Sequence, residues 1–380
     1  MGNLAVIDIT NLPPLAEESI FGGPSAFSRV LDWGRSIPDA SGIVLFTEPG
    51  RPVPEGSMEI SSAPSEVIYA PIRIIRREIW TEEALVEALA ETALLPADGD
   101  GQKAEALFFA RGDSPLLDGE VTETLWKLHY KYDAEYTFAD GYPLGLAPEI
   151  LSTGLPEKLR PLAKGRDDAL KRDTLFEVLR QDINAFDVET HLSPKDLRMD
   201  RVSMTSDTRR NRNIAEKLYA AGGTDAKSLC EVIPSSRHLL RDLPAYFPIQ
   251  VTEHCPQDCS YLPYPIPSAG SEPRHMASGD FETLCRKIVD FAGDAVLDLS
   301  LMGEPASHPD IADLIRTALD AGTAVGEGPR HPRTRVLIET SGLGWNLSDL
   351  EHLAEDTTPG RLMWIVTLDA SDPDIYRSLR

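Results

Sequence analysis

Positive charge is the scarcest commodity in this sequence, with 37 Lys and Arg against 61 Asp and Glu and a formal net charge of −24. That balance opposes any sequence-independent hold on a phosphate backbone or an anionic lipid, so nucleic acid and membrane surfaces are excluded as expected partners. Both halves of the chain are acidic, so no basic tail hides in the average. Cysteine is also sparse: Cys230, Cys255, Cys259 and Cys285 are the four in 380 residues. Four thiols make no disulfide framework in a chain this long, and their chemistry is expected to be local. No apolar run approaches the roughly 20 residues of a membrane helix. The opening MGNLAVIDIT lacks the basic segment and long apolar core of a secretory signal, so a cytoplasmic location is expected. Missing as well are a G-x-S-x-G elbow, a G-x-x-x-x-G-K-[ST] loop, an H-E-x-x-H helix and a G-x-G-x-x-G turn after a strand.

What is present suffices for folding. A hydrophobic share of 42% supplies sizeable cores. The length exceeds the roughly 250–300 residues at which one core stops growing, so two domains are expected. In residues 1–222, strand-like LAVIDIT, GIVLFTE, EVIYAPIRII and EALFFA alternate with helix-like SAFSRVLDWGRSI, TEEALVEALAETALL and GEVTETLWKLHYKY. This alternation predicts an α/β domain. The Gly, Pro and Ser punctuation of 223–245 reads as a linker. From 246 to 380 the rhythm is regular, with four strand-then-helix units, PIQVTEH, AVLDLSLM, RVLIETS and LMWIVTLDA supplying the strands. Such a run predicts a partial parallel (β/α) barrel, cut short after its fourth strand, with its active face at the strands' carboxyl ends.

The segment VTEHCPQDCSYLPYP places Cys255 and Cys259 four apart directly after the first strand of that barrel, followed by Tyr261. After the second strand comes LSLMGEPASHPDI, after the third IETSG, and after the fourth TLDASDPDIYRSLR. Together these resemble the radical S-adenosylmethionine superfamily, whose first loop carries C-x3-C-x2-C to hold a [4Fe-4S] cluster. The resemblance implies Cys255 and Cys259 as cluster ligands. It also implies Tyr261, Gly303, Glu304, Pro305, Ser341 and Asp369 as neighbours of the cofactor. Leu262 stands in the third cysteine position and offers no lone pair to iron. Cys285, in the apolar stripe of a helix, reads as a buried hydrophobe.

The first domain resembles the sugar-nucleotide cytidylyltransferases, a nucleotidyltransferase-like (GT-A or Rossmann-like) fold. The resemblance rests on FGGPSAFSRVLDW, ARGDSPLLDGEVTETL and GYPLGLAPEI. It implies that Asp113 holds Mg²⁺ against nucleotide phosphates, as hard oxygen ligands do. Yet residues 1–28 contain no Lys or Arg, so a triphosphate would face Glu17 and Glu18. The bland alternative is that Asp113 caps a turn, and the arginines of DTRRNRN read as a solvated helix start.

A nucleotidyltransferase-like region followed by a radical-SAM-like barrel is similar to the arrangement of the spiro-SPASM family. The resemblance implies radical chemistry with a [4Fe-4S] cluster and S-adenosylmethionine on an unidentified substrate, a peptide or protein among the candidates. Two alternatives stand beside it. One is a catalytically degenerate binding or scaffold protein, and the other is a nucleotide or sugar-phosphate binder working through the first domain.

Overall fold

The computed structural model describes residues 2–59, 72–97, 103–257, 259–260, 274–321, 334–357 and 360–379. The chain divides into two compact units, Met1–Asp242 and Leu243–Arg380.

The first unit runs β1 (Asn3–Asp8), α1 (Ala26–Ser36), β2 (Ala40–Thr47), β3 (Met58–Glu59), β4 (Ile72–Arg76), α2 (Glu82–Ala93) and β5 (Ala106–Arg111). It continues with α3 (Gly119–Tyr132), β6 (Tyr136–Asp140), β7 (Glu149–Ser152), α4 (Leu155–Ala163), α5 (Thr174–Leu179), β8 (Val188–Leu192), α6 (Arg209–Ala220) and α7 (Ala226–Ser235). Its strands form one sheet in the order β3-β4-β2-β1-β5-β7-β6-β8. All pairings are parallel except those of β7, which runs antiparallel to both β5 and β6. The α/β reading of this region therefore holds, with a mainly parallel sheet.

Alternation explains why β1 is wholly buried. Leu4 and Val6 point to one face, where Leu85, Val86 and Leu89 of α2 pack. Ala5 and Ile7 point to the other, against Val30 of α1 and Leu125 of α3. A strand covered on both faces reads as a continuous apolar run, as LAVI does.

Of the expected linker 223–245, Ala226–Ser235 form α7 and pack into the first unit, while the division between the units, after Asp242, falls inside the expected range. Gly222, at φ +98°, ends α6, and the Gly223 amide donates to the Leu218 carbonyl at 2.9 Å. Asp225 then starts α7 with a capping box to Ser228, and Leu229, Cys230 and Ile233 enter the first unit's core. The glycines that look like linker punctuation are a helix stop, and the aspartate after them is a helix start.

In the second unit, β9 (Tyr246–Pro248), α8 (Ser278–Ala292), β10 (Val296–Asp298), α9 (Ile311–Asp320), β11 (Arg335–Thr340), α10 (Leu347–Asp356), β12 (Leu362–Val366) and α11 (Pro373–Leu379) follow one another. The four strands lie in the order β12-β11-β10-β9, every pair parallel. The first strand is shorter and begins earlier than PIQVTEH suggests. Beyond Pro248 the chain keeps Ile249 and Val251 buried but pairs through isolated bridges, Gln250 with Ser300 and Thr252 with His275. Phe281, Cys285 and Ile288 of α8 cover the sheet with Leu314 and Ile315 of α9.

Candidate functional site

In open parallel sheets, ligands bind outside the carboxyl ends of the strands. In the first unit, β1 ends in Asp8 and β5 in Arg111, and the next residues are Gly112, Asp113 and Ser114. Asp8 accepts from the Thr10 amide at 2.8 Å and pairs with the Arg111 guanidinium at 2.9 Å. Gly112 has no room for a side chain, because a Cβ there would lie 2.6 Å from Ile9 Cγ2. Its bareness lets the chain turn sharply and aim Asp113 inward.

Asp113 is only 3% exposed, and its two oxygens each accept from Arg172 Nη2 at 2.8 Å. Arg172 Nη1 also reaches Ser114 Oγ at 3.4 Å. The Ser206 amide donates to the Asp113 carbonyl at 2.7 Å, which brings Asp207 alongside, its Oδ2 3.8 Å from the same guanidinium. Asp207 is braced by Thr205 Oγ1 at 2.5 Å and Asn211 Nδ2 at 2.9 Å. Burial opposes the Arg172 charge, but Asp113, Asp207 and Asp8 more than offset it, and the guanidinium's pKa rises.

Glu149, at the start of β7, completes the group across the sheet from Phe109. Burial pushes its carboxyl up to about 7, against a hydrogen bond from Tyr136 and, more weakly, the pull of Arg111 and Arg172. Its Oε2 is enclosed without a hydrogen-bond partner among the described residues. The loop GYPLGLAPEI packs on the strand-like segment 202–206. Gly145, at φ +88°, lies so close to the Met204 carbonyl that a Cβ would stand 2.9 Å from it.

Asp113 therefore does not cap a turn. That task belongs to Asp118, which caps two helices at once. Its Oδ1 accepts from the Val121 amide of α3 at 2.9 Å, and its Oδ2 accepts from the Ala226 amide of α7 at 2.7 Å. The loop after β1, which lacks its own basic residues, borrows them. Arg51 pairs with Glu17 at 3.2 Å, and Arg212 of α6 pairs with Glu18 at 2.8 Å and donates to the Leu15 carbonyl at 3.1 Å. Glu17 and Glu18 are thus answered by charge, and Arg212 is no solvated helix start.

The divalent cation that the resemblance attaches to Asp113 does not fit this arrangement. A hard cation needs the carboxylate oxygens that Arg172 holds. Among the described residues no three His, Cys, Asp or Glu side chains converge as a metal site. Sequence reasoning passed over Arg172, Asp207 and Glu149. Arg172 lies in a polar stretch with no motif around it, Asp207 in the charge run DTRRNRN, and Glu149 inside the segment GYPLGLAPEI.

In the second unit, Gly303 takes φ +80°, and a Cβ there would lie 2.5 Å from the Thr252 carbonyl oxygen. The turn thereby buries Glu304, whose amide donates to the His254 carbonyl at 2.8 Å. One Glu304 oxygen accepts from Thr340 Oγ1, and the other accepts from the Ser341 amide at 2.9 Å and Ser341 Oγ at 2.8 Å. Gly303, Glu304, Pro305 and Ser341 are therefore brought together at the ends of β10 and β11, as a structural clasp. Asp369 is exposed, in the segment after β12. Cys255 is partly exposed and Cys259 buried. Their loop is tied to α11 by Gln257 Nε2 to Tyr376 Oη at 3.2 Å and by the Ser260 amide to the Leu379 carbonyl at 2.9 Å. Tyr261 and Leu262 lie outside the described residues. Cys285 is wholly buried and its thiol is pushed up to about 12 by that burial, so it offers no thiolate. Two sulfurs in this loop do not fit a cluster that takes three, and the Glu304 oxygens are already engaged by β11 and its loop. A cleft of about 450 Å³ lies beside this clasp, lined by Trp345, Leu350, Leu353, Leu362 and Trp364.

No family model matches the sequence. The chain is 34% identical over 209 residues to an uncharacterized protein of Treponema pallidum (strain Nichols), a match covering 53% of this chain and 54% of that protein. It is 23% identical over 112 residues to the spore coat polysaccharide biosynthesis protein SpsF of Bacillus subtilis (strain 168), covering 30% of this chain and 46% of SpsF. The chain thus spans about half the length of these curated relatives. Among solved structures it is similar to a cytidylyltransferase from Leptospira borgpetersenii serovar Hardjo-bovis (strain JB197), at 14% identity and a TM-score of 0.45 over 65% of this chain and 98% of that one. It is also similar to BtrN in complex with AdoMet and 2-DOIA, at 22% identity and a TM-score of 0.27 over 36% of this chain and 51% of that one.

Proposed function

We propose that the chain is a non-catalytic binding protein whose first unit recognises a nucleotide or a sugar-phosphate without transferring it. The observation that carries this reading is the Arg172–Asp113 pair at the carboxyl ends of a parallel sheet, in which Nη2 of the guanidinium donates to both carboxylate oxygens. Placement at those strand ends supports a ligand site, and the partial identity to SpsF, a polysaccharide biosynthesis protein, supports a carbohydrate-related ligand. Transfer from a triphosphate calls for a cation that neutralises charge developing on the phosphates. Here the carboxylate in the position of its holder carries a guanidinium instead. Asp8, Asp113 and Asp207 against Arg111 and Arg172 leave the group at −1 before Glu149 is counted. These five groups offer a triphosphate no surplus positive charge, whereas a monophosphate ester meets less repulsion from them.

Calorimetric titration with CMP, CTP and sugar monophosphates, each in EDTA and in Mg²⁺, tests the reading. Monophosphates should bind equally well in both media, and CTP no more tightly than CMP. Binding of CTP that requires Mg²⁺ and releases pyrophosphate would make the unit a transferase, and no binding of any of them would remove the ligand site.

A second reading concerns the second unit alone, and four parallel strands in sequential order favour it. We propose that this unit keeps the frame of a radical S-adenosylmethionine barrel of the spiro-SPASM kind and has lost the cluster chemistry. Anaerobic reconstitution with iron and sulfide should then leave the protein colourless. A brown product with about four irons per chain would restore the enzyme reading.

A further inference from the structure

We infer that Arg172 is a built-in substitute for a divalent cation, and that deleting its side chain opens a two-carboxylate metal site. Three observations converge. The guanidinium bonds both oxygens of the buried Asp113 and stands 3.8 Å from Asp207 Oδ2, so one organic cation bridges two carboxylates from separate segments. Those segments are locked together without it, since the Ser206 amide donates to the Asp113 carbonyl at 2.7 Å and Thr205 and Asn211 brace Asp207. The carboxylates would therefore stay in place if the guanidinium were gone. Ser114 Oγ, 3.3 Å from Asp113 Oδ1, adds a third hard oxygen. Two carboxylates and a hydroxyl, with water filling the remaining positions, suit Mg²⁺ or Mn²⁺.

The substitution works in the native chain because a guanidinium holds its charge at any ordinary pH, and Nη2 donates to both oxygens of Asp113 while Nη1 reaches Ser114 Oγ. It differs from a metal in one respect that matters chemically: it presents N–H donors and not coordination positions that a phosphate oxygen could fill. Removing it takes from buried Asp113 the charge that answers it and leaves the Ser114 hydroxyl beside it, a costly state that a divalent cation would relieve.

The inference takes from the proposed function only the position of the site, and its test contains no nucleotide, so the two fail separately. Mn²⁺ alone is the probe, followed by loss of its free electron-paramagnetic-resonance signal. Wild type should retain none. Arg172→Met, which keeps much of the side-chain volume, should retain one Mn²⁺ per chain at least tenfold more tightly than wild type, and Arg172→Met with Asp113→Asn should lose it again. Mn²⁺ bound by wild type and lost in Asp113→Asn would overturn the inference without any need for the arginine variant. So would a folded Arg172→Met protein, verified by its far-ultraviolet circular dichroism, that binds no more Mn²⁺ than wild type.

Discussion

His129 of α3 is held neutral by its surroundings. Burial pushes its imidazole down to about 4, against a weaker upward pull from Asp133, while Nδ1 pairs with Thr137 Oγ1 at 2.9 Å and the ring stacks on Trp126. Because the folded pKa lies below the ordinary value near 6.5, the unfolded chain binds the proton first as the medium is acidified. Stability is therefore lost as pH falls from about 6.5 to about 4, by about 3 kcal/mol in all. His129→Gln should flatten that acid limb in urea melts taken across the range. Glu149 works in the opposite sense. Its carboxyl, raised to about 7, contributes stability that is present below its ordinary pKa and is lost as pH rises through 7. Glu149→Gln should remove that neutral-range slope and leave the His129 limb in place, and a variant that moves both limbs together would contradict this assignment. At this scale the sequence was half legible. Asp113 could be singled out because it sits in a recognisable run after a strand, but its partner could not. Nothing in DALKRDT distinguishes Arg172 from a solvated arginine until the fold folds that stretch over the strand ends.

Among the elements, α7 shows how a local signal can be read correctly and placed wrongly. Gly222, Gly223 and Asp225 do break the chain, yet they separate two helices of one core. Asp118 binds the second of those helices to the first unit by capping α3 and α7 together. Losing one N-cap costs typically about 1 kcal/mol, and a buried donor left unpaired costs roughly 1–3 kcal/mol more. Asp118→Ala should thus destabilise the first unit by about 2–4 kcal/mol, seen as a lower urea midpoint at unchanged slope. Asp118→Asn, which keeps an acceptor, should cost about half as much or less. A loss below 0.5 kcal/mol for the alanine variant would mean that α7 is held by packing alone. The alternating strands and helices of both units were legible because each buries a face with a regular period. The short β9 was not, since Ile249 and Val251 stay buried while leaving the ladder.

As a whole, the chain is two separately cored units, and the first buries both faces of its sheet within Met1–Asp242. Residues 1–242 should accordingly fold alone, with a single cooperative melt, and Leu89→Ala, at a fully buried position, should lower that melt by the 2–5 kcal/mol typical of emptied core sites. A non-cooperative melt would show that the second unit completes the first. The described residues contain no helix long and apolar enough to cross a membrane. Charge links these features. An acidic chain has turned the few arginines near its strand ends inward, Arg111 on Asp8, Arg172 on Asp113 and Arg212 on Glu18. The measurement that tests this most directly is an anomalous difference map from crystals grown in Mn²⁺. The account predicts guanidinium density against both Asp113 oxygens and no manganese peak within bonding reach of them; a peak on Asp113 with Arg172 swung away would contradict it.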